Sequence, residues 1–106
     1  MTAAAILGCL GTSLTPDERA FFREAQPFGF ILFARNVATP EELSRLTAGL
    51  RDSVGRDAPV LIDQEGGRVQ RLRAPHWRAW VPPLDEVQRG GTSFEAVLRL
   101  RYRIIA

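Results

Sequence analysis

Lysine is missing altogether: all 14 basic residues of this 106-residue chain are arginine. Twelve acidic residues nearly balance them and leave a net charge of +2. The high isoelectric point therefore follows from the pKa of arginine and is not, on its own, a nucleic-acid-binding footprint. Arginine without lysine reads as a genome-composition bias rather than a binding design. Cysteine is nearly missing too. A single Cys9 excludes an internal disulfide and suits a reducing compartment. Set in an apolar run with no base beside it, Cys9 reads as a small buried hydrophobe and not as a nucleophile. No apolar run has the length needed to span a bilayer. The opening "MTAAAILGCLG" has no basic residues before its apolar stretch and meets polar ones at once, which argues against a secretory signal. The expectation is a cytoplasmic chain without a membrane partner. What remains, 45% hydrophobic and 25% charged residues, is the composition of an ordinary globular protein with one modest core.

Three apolar runs of strand length, Ala4–Leu10, Phe28–Ala34 and Pro59–Ile62, lack polar alternation, as expected of parallel strands buried on both faces. Between them the helix starts are explicit. Thr15-Pro16-Asp17-Glu18 offers a threonine cap, a proline at the first helical position and a glutamate three residues after the cap, and Thr39-Pro40-Glu41-Glu42 repeats the pattern. In such a box the hydroxyl accepts an orphan backbone N–H and the glutamate serves the N–H of the cap residue. Leu43, Leu46, Leu50 and Val54 follow at helical spacing, with Gly55 as the stop. The order is βαβαβ with right-handed crossovers. From Arg71 to Gly91, prolines and glycines predict a loop. A last helix is predicted from a third capping pattern, Thr92-Ser93-Phe94-Glu95, with Phe94, Val97, Leu98, Tyr102 and Ile105 as its apolar stripe. The chain ends in mid-pattern at "RLRYRIIA", without a stop signal, so the expectation is the N-terminal piece of something larger.

The richest segment is "PVLIDQEGGRVQRLR", residues 59–73, where an apolar run meets two carboxylates, two glycines and three arginines. In parallel α/β architectures, chemistry gathers where strand ends meet the following loops. Asp63 stands at that point, followed by Glu65, Gly66 and Gly67; the glycines permit a sharp turn or a close approach. An acceptor at Asp63 and a forked donor at Arg71 suit a polyhydroxylated ligand. An equally weighted alternative is that these acids and arginines bridge one another under the loop.

"IDQEGGRVQRLR" closely resembles the third-strand motif of glycoside hydrolase family 3, in its bacterial β-N-acetylhexosaminidase branch. The collinear segments "GCLGTSLTPDERAFF", "GFILFARN" and "RLRYRIIA" resemble the first βα unit, the second strand and turn, and the helix after the third strand of that family. The resemblance covers essentially the whole chain. It implies the N-terminal part of a (β/α)8 TIM-type barrel, about three βα units over residues 1–106, with the barrel not closed. It also implies hydrolysis of terminal N-acetylglucosamine from peptidoglycan-derived muropeptides, with retention of configuration and as part of cell-wall recycling. Asp63 and Arg71 match residues that hold the non-reducing sugar; Glu65, Arg68, Arg35 and Asn36 are supporting candidates. No catalytic residue carries over, because the family's aspartate nucleophile and histidine acid/base lie on later loops. No cofactor and no metal are expected.

Asp63 and Glu65 are not a substitute pair. A retaining mechanism with two carboxylates sets them roughly 5–5.5 Å apart across the scissile bond, whereas residues two apart on one strand project alike. His76, the only histidine, does not match the family's acid/base and reads as a loop residue packed near Trp77 or solvated. Trp77 and Trp80 favour packing over sugar stacking. Arg35 and Asn36 end the second strand and either tie its turn or touch ligand. "GCLGT" lacks the spacing and lysine of a P-loop. Arg68, Arg71, Arg73 and Arg78 form the densest basic cluster, but Asp63 and Glu65 stand beside it and aromatics are not interleaved, which argues against nucleic acid. A closed barrel needs about 250 residues, so the isolated sheet is expected to show an open apolar face and edge, and the chain alone to be inactive. The alternative is a small non-catalytic α/β ligand-binding module.

Overall fold

The computed structural model describes residues 1–106, which divide into two compact units, Met1–Ile62 and Asp63–Ala106. The first unit is α/β. Strands β1 (Ala3–Leu7), β2 (Pro27–Leu32) and β3 (Val60–Ile62) form a parallel sheet in the order β1-β2-β3, with Leu7 beside Phe30, and Phe30 beside Val60. Helix α1 (Pro16–Ala25) connects the first pair and α2 (Pro40–Val54) the second.

Both helices start where the sequence places them, with different chemistry. At α1 the capping box is complete: Thr15 accepts from the Glu18 N–H, and Glu18 accepts from the Thr15 N–H. Glu18 also accepts from the Leu10 N–H (2.8 Å), tying the first loop to the helix. Burial pushes its carboxyl up, but the hydrogen bonds from the Thr15 and Leu10 N–H groups and the Thr15 side chain outweigh this and hold it below the ordinary value. At α2 only half of the box forms. Thr39 accepts from the Glu42 N–H, but Glu42 accepts from the Thr39 hydroxyl rather than from the backbone N–H of Thr39. Gly55 ends α2 in the left-handed region (φ +66°), as expected.

The helices cover one face of the sheet. Phe22 from α1 and Leu46, Leu50 and Val54 from α2 pack with Phe30, Leu32, Cys9 and Ala58. Phe22 and Phe30 meet edge-on at 5.0 Å between ring centroids. The strands are thus not buried on both faces. Ile6 and Leu61, on the other side, are 46% and 43% exposed, because no helix of this unit reaches that face. The absence of alternation reflects two apolar faces, only one of them covered here.

The second unit departs further from expectation. Strands β4 (Gln64–Gly66) and β5 (Val69–Gln70) form an antiparallel hairpin, too short to leave a periodic signal. The stretch expected to be loop up to Gly91 contains helix α3 (Pro83–Gly90). Its prolines suggest a loop, yet Pro83 sits at the first helical position, where its missing N–H costs nothing, and Asp85 and Glu86 complement the positive helix start. Helix α4 (Phe94–Ile105) forms, but its expected capping box does not. A 3₁₀ turn, Gly91–Ser93, leads directly into it, and Ser93 lacks the extended backbone of a cap residue. The stripe is also different: Phe94 and Tyr102 are exposed, and the buried residue of α4 is Arg101. No helix is long and apolar enough to cross a membrane.

Candidate functional site

Asp63 follows β3 directly in the chain, and the hairpin brings Arg71 back beside it. The backbone closes first: the Arg71 N–H reaches the Asp63 carbonyl at 3.3 Å. Two glutamines then lock the return strand. Gln64 donates to the Leu72 carbonyl (2.8 Å) and accepts from the N–H groups of Arg71 and Leu72 (3.1 and 3.0 Å). Gln70, buried, donates to the carbonyls of Leu72 (3.0 Å) and Arg78 (2.8 Å) and accepts from the Trp80 N–H (3.0 Å). Sequence reasoning passed over both. Their signal was an uncharged amide, donor and acceptor at once, beside a strand that needs both ends of a peptide satisfied.

The turn needs its glycines. Gly66 has φ +99° and Gly67 φ +62°, a region that disfavours a side chain, and a Cβ on Gly66 would stand 2.7 Å from the Val81 carbonyl oxygen. The Gly67 N–H donates to the Trp80 carbonyl (2.9 Å).

On this frame Asp63 and Arg71 face one another loosely. The closest approach, Arg71 Nη2 to Asp63 Oδ2, is 3.7 Å, an ion pair too long to be a hydrogen bond. Their side chains are 43% and 27% exposed, respectively. The Arg71 Nε is buried and has no hydrogen-bond partner. The pair is thus half-made: the two side chains face one another without a hydrogen bond between them. A concavity of about 340 Å³ nearby is lined by Gly67, Gln70, Arg73, Ala74, Ala79 and Trp80; Asp63 and Arg71 do not line it.

The remaining candidates are placed as follows. The Glu65 side chain makes no ion pair with an arginine; its backbone carbonyl accepts from Arg101. Arg68 is exposed in the turn. Arg73 donates to the Gln70 carbonyl (2.7 Å), and Arg78 lies over the Trp80 ring at 4.7 Å, so both have partners within the unit. His76 is exposed and stacks edge-on against the half-buried Trp77. Arg35 and Asn36 belong to the first unit and serve its first loop. Arg35 donates to the Cys9 carbonyl (3.1 Å) and covers the Phe33 ring. Asn36, 1% exposed, donates to the carbonyls of Cys9 (3.1 Å) and Gly11 (2.8 Å) and accepts from the Phe33 N–H (2.9 Å). Both amide hydrogens are used there and the oxygen is engaged by the turn, so the side chain ties the first loop to the end of β2. Cys9 is buried; desolvation first, then Glu18, pushes its thiol up against the opposing effect of Arg35, the reverse of what a nucleophile needs. No three His, Cys, Asp or Glu residues gather into a metal-ligating group.

No family model matches the chain. Curated relatives do. It is 37% identical over 82 residues to a β-hexosaminidase of Stenotrophomonas maltophilia (strain R551-3), 77% of this chain and 24% of that protein. It is 41% identical over 73 residues to the β-hexosaminidase of Pseudomonas aeruginosa (strain LESB58), 69% of this chain and 22% of that protein. Among solved structures, NagZ from Neisseria gonorrhoeae in complex with N-trifluoroacetyl-D-glucosamine superposes with a TM-score of 0.74 at 25% identity, covering 90% of this chain and 29% of that one. A glycoside hydrolase family 3 β-N-acetylglucosaminidase from Paenibacillus gives a TM-score of 0.72 at 26% identity, over 85% of this chain and 18% of that one. The chain thus spans about a quarter of the length of the curated relatives it matches.

Proposed function

From the premise that the chain belongs with the β-hexosaminidases of glycoside hydrolase family 3, we propose that it carries the sugar-holding strand end of such an enzyme. Asp63 and Arg71 grip a terminal N-acetylglucosamine whose bond is broken by residues outside these 106. The parallel strands β1 to β3, wound in one direction with helices on one face, are on this reading the opening part of a (β/α)8 barrel. The substrate class is the N-acetylglucosamine-terminated fragment of peptidoglycan, processed in the cytoplasm during cell-wall recycling.

One observation carries the reading. Asp63 and Arg71 stop at 3.7 Å, beyond hydrogen-bond distance, with both side chains partly exposed, so neither spends its polar atoms on the other. An adjacent pair of sugar hydroxyls would complete both: each hydroxyl donates to the carboxylate or accepts from the guanidinium. Its charged members then serve the ligand, and the neutral amides of Gln64 and Gln70 hold the frame.

Calorimetric or NMR titration of the 106-residue chain with N-acetylglucosamine tests this. Saturable binding is expected, weakened at least tenfold in Asp63→Ala and in Arg71→Met, as loss of a charge-assisted hydrogen bond of about 1.5–3 kcal/mol implies. Binding unchanged in both variants would sink the assignment. A chromogenic β-N-acetylglucosaminide is expected to stay intact, and turnover by this polypeptide would overturn the division between grip and catalysis.

A further inference from the structure

Arg101 is 2% exposed, on a helix that otherwise offers apolar residues to its unit. A guanidinium is costly to bury and persists only where its donors are used. Here Nη2 donates to two carbonyls, those of Glu65 and Val81 (2.7 Å to Val81), and Nη1 donates to the Glu86 carboxylate at 3.2 Å. The plane packs beside the Trp80 and Tyr102 rings, at 5.6 and 5.7 Å from their centroids. Only Nε is left without a partner. One side chain thus joins the end of β4, the segment before α3, α3 itself and α4. The Gly66 Cα turns toward it, and a side chain there would occupy the guanidinium's place.

We propose that Arg101 is the positioning residue of the Asp63–Arg71 site. It touches neither side chain. It holds the Glu65 carbonyl, two residues beyond Asp63, and thereby sets the course of the hairpin that returns Arg71 to within 3.7 Å of Asp63. Lysine cannot replace it: a single ammonium does not span two carbonyls and a carboxylate on a planar fork. The consequence for sugar binding rests on the reading of Asp63 and Arg71 given above; the clamp itself does not.

Arg101→Lys and Glu86→Gln, made in the full chain, test it through two readouts. The first is amide hydrogen exchange at Gly67, Arg71 and Leu72, with the Phe30 amide in the first unit as internal reference. The second is the Kd for N-acetylglucosamine, measured on folded protein. Arg101→Lys is expected to speed exchange at the three hairpin amides, leave Phe30 unchanged, and weaken the sugar on the order of tenfold, since a positioned site loses affinity through small displacements. Glu86→Gln keeps an acceptor for Nη1 and is expected to give the same pattern, smaller. It decides the matter if Arg101→Lys does not fold. Wild-type exchange and wild-type Kd in a folded Arg101→Lys overturn the clamp. Faster exchange with unchanged Kd overturns the positioning role instead, and leaves Arg101 a purely structural residue. If the parent chain shows no sugar affinity, the reading of Asp63 and Arg71 fails, and the exchange readout still decides whether Arg101 sets the hairpin.

Discussion

Phe30→Ala is expected to cost about 3–5 kcal/mol of stability, the largest effect of any single truncation in the first unit. Phe30 is fully buried on the central strand, where it pairs with β1 through Leu7 and with β3 through Val60. Its ring meets Phe22 of α1 edge-on, and Leu50 of α2 belongs to the same cluster. Removing it opens a cavity where sheet and helices meet, and with one sheet face uncovered the unit has no second core to compensate. Domains of this size commonly have only 5–15 kcal/mol in total, so the variant is expected to lie close to its unfolding transition at room temperature. Urea unfolding followed by far-ultraviolet circular dichroism measures the loss. A shift below about 1 kcal/mol would show that the sheet–helix interface is loosely packed.

Gly66→Ala is expected to destabilise the second unit by about 3 kcal/mol or more, combining backbone strain of roughly 1–3 kcal/mol with overpacking of similar size. The strain comes from φ +99°; the overpacking comes from a methyl group set 2.7 Å from the Val81 oxygen and 3.1 Å from the Trp80 Cβ. The same methyl displaces the Arg101 guanidinium, whose carbonyl partners are then left unpaired. Both tryptophans, Trp77 and Trp80, lie in this unit, so their fluorescence reports its unfolding selectively. An unchanged fluorescence midpoint would mean that the turn relaxes without cost, and the account of the hairpin would fail with it.

What was legible in the sequence was what local chemistry decides. The starts of α1 and α2 could be read from Thr15-Pro16 and Thr39-Pro40 because a cap is a contact between residues three apart. The three parallel strands could be read from apolar runs, and the place of Asp63 from where the third run ends. Features that depend on distant partners could not. Helix α3 lies among prolines whose effect is favourable only at its first position. Arg101 falls three residues after Leu98 and four before Ile105, within the apolar stripe, but a charge there is taken as solvated until Glu86 and two carbonyls are known to meet it. The resemblance marked Asp63 and Arg71, and only geometry showed that the pair stops short of closing.

The division of labour in the hairpin has a further consequence. Gln64 and Gln70 carry no charge and do not titrate, so the hydrogen bonds they make to the return strand do not respond to pH or to ionic strength. Asp63 and Arg71, partly exposed, attract one another through solvent and are screened by added salt. Salt therefore loosens the ion pair while leaving the amide hydrogen bonds of the two glutamines intact. On the function proposed above, a neutral polyol would take the place of the internal counter-ion without any rebuilding of the backbone that holds the two residues in place.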